Sequence, residues 1–143
     1  MGCKRSKAQD GAARLRGLAF FEGFSDAELE RVAQLAERVE AEAGTVIIDQ
    51  GRVGQECFVV EFGEVGVYVA DEHIVSLGAG SMIGEMALVD RLPRTASVIA
   101  ESDVAMLAFD AKAFRTLLAE MPKAEERVLG LLAARLKAND SRV

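Results

Sequence analysis

The sequence predicts a mainly β fold with flanking helices, an α+β jelly roll, and three observations carry that prediction. Between Gly44 and Phe109 lie short runs rich in β-branched and aromatic residues, which suit a pleated, half-buried surface. Gly51, Gly54, Gly63, Gly66, Gly78 and Gly80 punctuate those runs, as expected of many short antiparallel strands joined by tight turns. Helical spacing is confined to the two ends. With 143 residues, 50% hydrophobic and 28% charged, the chain suits one globular domain with a sizeable core.

Taken in order, Met1 to about Ala13 is small, polar and basic and reads as a disordered tail, residues 1–13. Its opening, Met1-Gly2-Cys3-Lys4-Arg5-Ser6, also fits the N-myristoylation pattern. In a eukaryote that would make a two-signal membrane anchor, but the composition favours a chance match. The folded domain is placed at 14–138 and a C-terminal tail at 139–143. Within the domain, Phe24-Ser25-Asp26-Ala27-Glu28-Leu29 is a helix start: Ser25 caps, Glu28 closes the capping box, and Phe24 with Leu29 forms the staple. Leu29, Val32, Ala33, Ala36 and Val39 extend helical spacing to about Glu40.

Strands are expected over Thr45–Asp49, Glu56–Phe62, Glu64–Ala70 and His73–Leu77, with a hairpin tip at Asp71-Glu72. Two more follow at Thr95–Glu101 and Val104–Phe109, around a turn at Ser102-Asp103. Cys57 lies in an apolar strand and reads as an inert core thiol. His73, the one histidine, sits by the hairpin tip and reads as solvated. Asp110 caps a second helix with Phe109 and Phe114 as its staple, and Phe114, Leu117, Leu118 and Met121 line its buried face. Pro122 ends that helix and suits the first position of a third, running to about Ala138. Val128, Leu131, Leu132, Arg135 and Leu136 form its apolar stripe with a cation at the edge. Gly130 falls mid-helix, where it costs about 1 kcal/mol relative to Ala.

Chemistry concentrates between Ile83 and Ala96, in Ile83-Gly84-Glu85-Met86-Ala87-Leu88-Val89-Asp90-Arg91-Leu92-Pro93-Arg94-Thr95-Ala96. The run reads as a strand end, a glycine, a short helix, a Pro-forced bend and an arginine entering a new strand. Gly84 permits close backbone approach by a ligand. The amides of Glu85, Met86 and Ala87 fall at the helix start, as donors for an anion. Pro93 disfavours helix at Leu92 and turns the chain back, so Arg94 faces the same anion with its planar fork. Glu85, an acceptor only when ionised, suits a sugar hydroxyl. Together these describe a small phosphate carrying a ribose.

This run resembles the phosphate-binding cassette of the cyclic nucleotide-binding domain family, through Gly-Glu-Met-Ala-Leu, four residues, then Pro-Arg-Thr-Ala. The resemblance covers about Leu18 to Leu136 and implies an eight-stranded β-roll with one N-terminal helix and two C-terminal helices. By position it gives the phosphate to the amides of Gly84, Glu85 and Ala87, charge neutralisation to Arg94, and the ribose 2′-hydroxyl to Glu85. The ligand-contacting stretch is then Ile83, Gly84, Glu85, Met86, Ala87, Arg94, Thr95 and Ala96. It also implies a last helix closing over the base, with Leu132 and Arg135 as lid candidates beside the alternative of ordinary packing. Threonine after the arginine, here Thr95, serves guanine recognition in some members and phosphate binding in others, which leaves cAMP against cGMP open at that residue.

The resulting reading is a regulatory sensor that binds a cyclic purine mononucleotide, cAMP favoured over cGMP, and signals occupancy by moving its helices. The alternative is a ligand-free β-roll that mediates protein contacts. Another frame is a module of, or beside, a larger kinase, channel or acetyltransferase, with an unidentified effector protein as partner. No nucleophile–base pair appears, so no enzyme is expected, and one histidine cannot furnish the metal set of cupin-like enzymes. No cofactor is expected beyond the cAMP or cGMP ligand. A net charge of −6 argues against nucleic acid, as does the lack of a helix-turn-helix after the third helix. Two cysteines, no membrane-length apolar run and no secretory segment suggest a cytoplasmic protein without membrane association.

Overall fold

The computed structural model describes residues 3–51, 55–85 and 96–137, without the side chains of residues 135–137. Along the described chain run β1 (Lys4–Lys7), α1 (Gly11–Leu15), a 3₁₀ turn (Ala19–Phe21), α2 (Asp26–Leu35), β2 (Glu37–Ala41), β3 (Val46–Ile48) and β4 (Glu56–Phe62). They are followed by β5 (Val65–Val69), β6 (Glu72–Leu77), β7 (Met82–Ile83), β8 (Ser97–Ala100), β9 (Val104–Asp110), α3 (Ala111–Glu120) and α4 (Pro122–Lys137). The strands make two antiparallel sheets, ordered β1-β2-β9-β4-β7 and β3-β8-β5-β6. This is the predicted β-roll with flanking helices. It differs in detail: nine strands are described rather than eight, and α1 and the 3₁₀ turn precede α2 where one N-terminal helix was expected.

Two apolar clusters hold the layers together. One fills the roll between the sheets and includes Val39, Phe58, Val60, Val65, Val67, Ile83, Val98 and Met106. The other lies between the five-stranded sheet and the helices and includes Phe21, Leu29, Val32, Cys57, Val59, Leu107, Phe109, Phe114, Leu117 and Val128. The alternation along β4 explains both. Cys57 and Val59 belong to the helix side, while Phe58 and Val60 belong to the interior, the period of two that every strand imposes.

Local signals act as their chemistry requires. Ser25 Oγ accepts from the Glu28 amide at 3.1 Å and Glu28 Oε1 accepts from the Ser25 amide at 2.8 Å, a complete capping box. Asp110 Oδ1 accepts from the Ala113 amide at 2.8 Å and caps α3. The hairpin tip falls at Ala70-Asp71, with φ of 49° and 68°, one residue earlier than Asp71-Glu72. Two successive left-handed residues match the right-handed twist of the strands they join.

Two stretches depart further from expectation. The helix ends at Leu35 instead of running to Glu40, because Glu37–Ala41 is a strand paired with β9 from Glu37↔Ala108 to Ala41↔Val104. Val39 and Ala41 are buried there as alternate residues; over so short a stretch, periods of 2 and 3.6 select the same apolar positions. Likewise Lys4–Lys7, expected within a disordered tail, pairs antiparallel with β2, and Gly11 opens α1. All four β1 residues are exposed, so no burial pattern marked the strand. Backbone pairing and Arg5 hold it.

Candidate ligand-binding site

The site is approached by β7 from one side and β8 from the other. Met82 and Ile83 pair with Val59 and Phe58 of β4, which fixes the strand end before Gly84. Ile83 is fully buried in the roll interior. Gly84 follows with φ of 85°, the left-handed region in which glycine bears no Cβ penalty. Glu85 begins a helical turn and is fully buried. On the far side Ala96 is buried against the same interior cluster, and β8 leaves from it to pair with β5 from Ser97↔Tyr68 to Ala100↔Val65. Ile83 and Ala96 both belong to the roll interior, and Gly84 and the buried Glu85 follow Ile83 directly in the chain. Met86, Ala87, Arg94 and Thr95 lie outside the described residues.

Burial of Glu85 is the notable electrostatic feature. Removing a carboxylate from water costs several kcal/mol unless charge or hydrogen bonds offset it. A side chain chosen for packing alone would be apolar, so a carboxylate here points to a requirement other than core stability.

Helix α4 is anchored in its first half by charge as well as packing, and by packing of Leu131 and Leu132 beyond. Lys123 Nζ donates to Gly23 O and to Glu28 Oε1, both at 2.9 Å. The Arg127 guanidinium donates to the carbonyls of Ala19, Phe20 and Glu22, and both cations lie within 5.7 Å of the Phe24 ring centroid. Ala124 and Val128 are buried. On the opposite face, the next residue Leu129 is 58% exposed, and a Cβ on Gly130 would meet nothing within 4 Å. A cavity of about 440 Å³ separates Gly130 and Leu131 from Leu77 and Met82. Leu132 is half-buried against the helix-side cluster; Arg135 lies in α4, and its side chain is outside the described residues.

Other residues singled out by the sequence lie on other strands. Cys57 is buried within the helix-side cluster. His73 is exposed on β6, its Nε2 3.0 Å from Ser76 Oγ and 3.2 Å from Glu101 Oε2, with its ring edge-on to Tyr68. Among the described residues no group of three or more metal-ligating side chains assembles, and no helix is long and apolar enough to cross a membrane. Sequence reasoning missed the anchoring role of Lys123 and Arg127. Its signal was available, since basic residues at i and i+4 share one helix face.

Comparison with known proteins bears on what this arrangement is. The family model described as cyclic nucleotide-binding domain matches residues 38–121. A cyclic nucleotide-gated potassium channel of Rhizobium etli is 39% identical over 104 residues, covering 73% of this chain and 29% of the channel. A cAMP-dependent protein kinase regulatory subunit of Hypocrea atroviridis is 35% identical over 91 residues, covering 64% of this chain and 20% of that protein. The chain thus spans less than a third of either relative. Among solved structures, the catabolite activator protein of Thermus thermophilus superposes with a TM-score of 0.78 at 28% identity, over 85% of this chain and 59% of that one. Family match and roll agree, and the chain belongs to the cyclic nucleotide-binding domain family.

Proposed function

We propose that this domain binds a cyclic purine mononucleotide, cAMP in preference to cGMP, as a non-enzymatic sensor within a regulatory system. The observation that carries the reading is the buried Glu85 directly after a left-handed Gly84 at the end of β7. A backbone open to close approach beside a carboxylate acceptor suits a cyclic phosphate and the ribose hydroxyl next to it. In this reading Gly84, Glu85, Met86 and Ala87 supply the amides, Arg94 neutralises the phosphate, Glu85 takes the 2′-hydroxyl, and Ile83, Thr95 and Ala96 complete the contact surface. The kinase regulatory subunit among the relatives is named for cAMP, which supports the choice of base.

Occupancy is signalled by α4. A ligand shifts a two-state equilibrium only through contacts that differ between the states. Arg127, Gly130 and Leu131 of α4 line a cavity of about 440 Å³, and Leu132 and Arg135, further along the helix, are the proposed lid residues. The first half stays fixed by Lys123 and Arg127. An unidentified effector protein reads the shift.

Calorimetry with cAMP and cGMP side by side tests the reading. cAMP is expected to bind more tightly. Arg94→Ala should lose roughly 2–5 kcal/mol of binding free energy, by analogy with truncation of a buried, paired charge, while the fold survives. The parent should bind a 2′-deoxy analogue worse than cAMP, and Glu85→Ala should hardly distinguish the two. Undiminished cAMP binding by Arg94→Ala would remove the cassette reading. No binding of either nucleotide by the parent would leave the protein-contact role in its place.

A further inference from the structure

The edge of β2 carries chemistry that ligand binding does not use. Its exposed or half-buried residues are Glu37, Arg38 and Glu40, with Arg38 paired to Glu40 at 3.0 Å, and Glu56 of β4, two strands in, is reached from the edge by Arg5. The strand lying on this edge is basic: Lys4 pairs with Glu40, Arg5 with Val39, Ser6 with Arg38 and Lys7 with Glu37. Arg5 holds both oxygens of Glu56 and one of Glu37, all at 2.8 Å. A two-toothed guanidinium–carboxylate grip of this kind selects arginine over other cations.

None of the four β1 residues is buried. Only flanking residues touch apolar clusters, Cys3 at the roll interior and Ala8 at the helix side. Beyond Ala8 the chain turns through Asp10, a non-glycine residue at φ 53° that makes no side-chain capping bond. The strand is thus joined by a ladder and by charge, with a turn behind it that departs from preferred backbone geometry. Without β1, β2 would present unpaired backbone groups beside glutamates, an edge open to strand addition.

We propose that the acidic β2 edge is a recognition site for a basic, extended segment of another protein, added as an antiparallel strand. Lys4–Lys7 is its occupant within the chain, a plug that a partner displaces. The segment is read by alternate side chains: an arginine reaching Glu37 and Glu56, and a small residue two positions earlier in the half-buried place of Cys3. Because the plug is tethered, its effective concentration is high, and a partner competes only when the plug is loosened or the partner is also held elsewhere.

A fluorescent peptide with the sequence of Cys3–Gln9 tests this on the full chain. Two separate variants loosen the plug: Arg5→Glu removes the grip, and Ser6→Pro breaks the strand while leaving charge intact. Both sit where the core is not involved, and circular dichroism checks that the fold persists. Each variant is expected to bind the peptide at least tenfold more tightly than the parent, with slowed amide exchange over Glu37–Ala41. Adding Glu37→Gln and Glu56→Gln to Ser6→Pro should reverse the gain. Equal binding of a peptide with glutamate in place of its lysines and arginine would overturn the proposal. So would variants that bind no better than the parent, or that form dimers by light scattering without taking up peptide, which would make a second copy the occupant.

Discussion

The two sheets of the roll are alike in hydrogen bonding and unlike in surroundings. In the five-stranded sheet, β4 and β9 are covered on both faces, by the roll interior on one side and by helices on the other. Val104 to Phe109 are buried without interruption. In the four-stranded sheet only the inward face is covered. Val65, Val67, Val98 and Ala100 point in, while Val46 is 52% exposed and Val75 38%. Hydrophobic stabilisation follows area removed from water, so the doubly covered sheet is where the fold is held. The other sheet closes the roll and tolerates change outside.

The largest test of that contrast is a pair of truncations. Phe109→Ala, at a fully buried site, should cost about 3–5 kcal/mol in urea denaturation. Val46→Ala on the open face should stay within about 0.5 kcal/mol. Similar losses at both positions would mean that the outer face of the four-stranded sheet is packed against something in solution.

Two glycines sharpen the contrast at smaller scale. Gly63 has φ of 90°, and a Cβ there would lie 2.4 Å from the carbonyl oxygen of Asp103. Backbone cannot yield easily, so Gly63→Ala should cost roughly 1–3 kcal/mol. Gly66 is buried on the outward side of β5, where an added Cβ would meet Glu101 Oε2 at 2.5 Å and a ring carbon of Tyr68 at 2.9 Å. Both atoms belong to side chains rather than backbone, and both side chains can swing away. Gly66→Ala should therefore change stability by less than about 1 kcal/mol while displacing Glu101 from His73. Thermal melts of the two variants in parallel decide the order.

A further test belongs to the helix layer. Ser25→Ala removes one side of the capping box and should cost about 0.5–2 kcal/mol. It keeps the Ser25 backbone amide that Glu28 accepts from, so the response to acid is tested through the other partner of Glu28. The Ser25 amide, and then the Lys123 ammonium, hold the Glu28 carboxyl below its ordinary pKa. A depressed folded-state pKa means that the unfolded chain binds the proton more readily. The stabilisation is thus complete above the ordinary carboxylate range and is lost as pH falls through the folded value. Glu120, lowered by its bond to Arg31, adds in the same direction. Melting temperature followed into acid should fall less steeply for Lys123→Met, which removes the ammonium partner of Glu28, than for the parent. Parallel curves would show that Glu28 titrates alike in both.

Sequence by itself determined the features whose causes are local. The capping box of Ser25 and Glu28, the Asp110 cap, the Pro122 start of α4 and the limits of β4 were legible because side-chain chemistry within a few residues decides them. The sequence marked Gly84 as a point of close backbone approach, and its left-handed φ of 85° is what the structure adds. Tertiary structure decided the rest. Glu37–Ala41 carries a pattern equally fit for helix or strand, and it became a strand because β9, about seventy residues on, offers a ladder from Ala108 to Val104. Lys4–Lys7 has no apolar residue at all, and it became a strand because β2 presents a free edge and Glu37 and Glu56 hold Arg5. The charged anchoring of α4 likewise depends on carbonyls of the 3₁₀ turn that Arg127 reaches from 107 and 108 positions away in sequence. Propensity is summed over neighbours in the chain, whereas pairing and burial are set by neighbours in space, and where the two scales disagree the spatial ones supply more free energy.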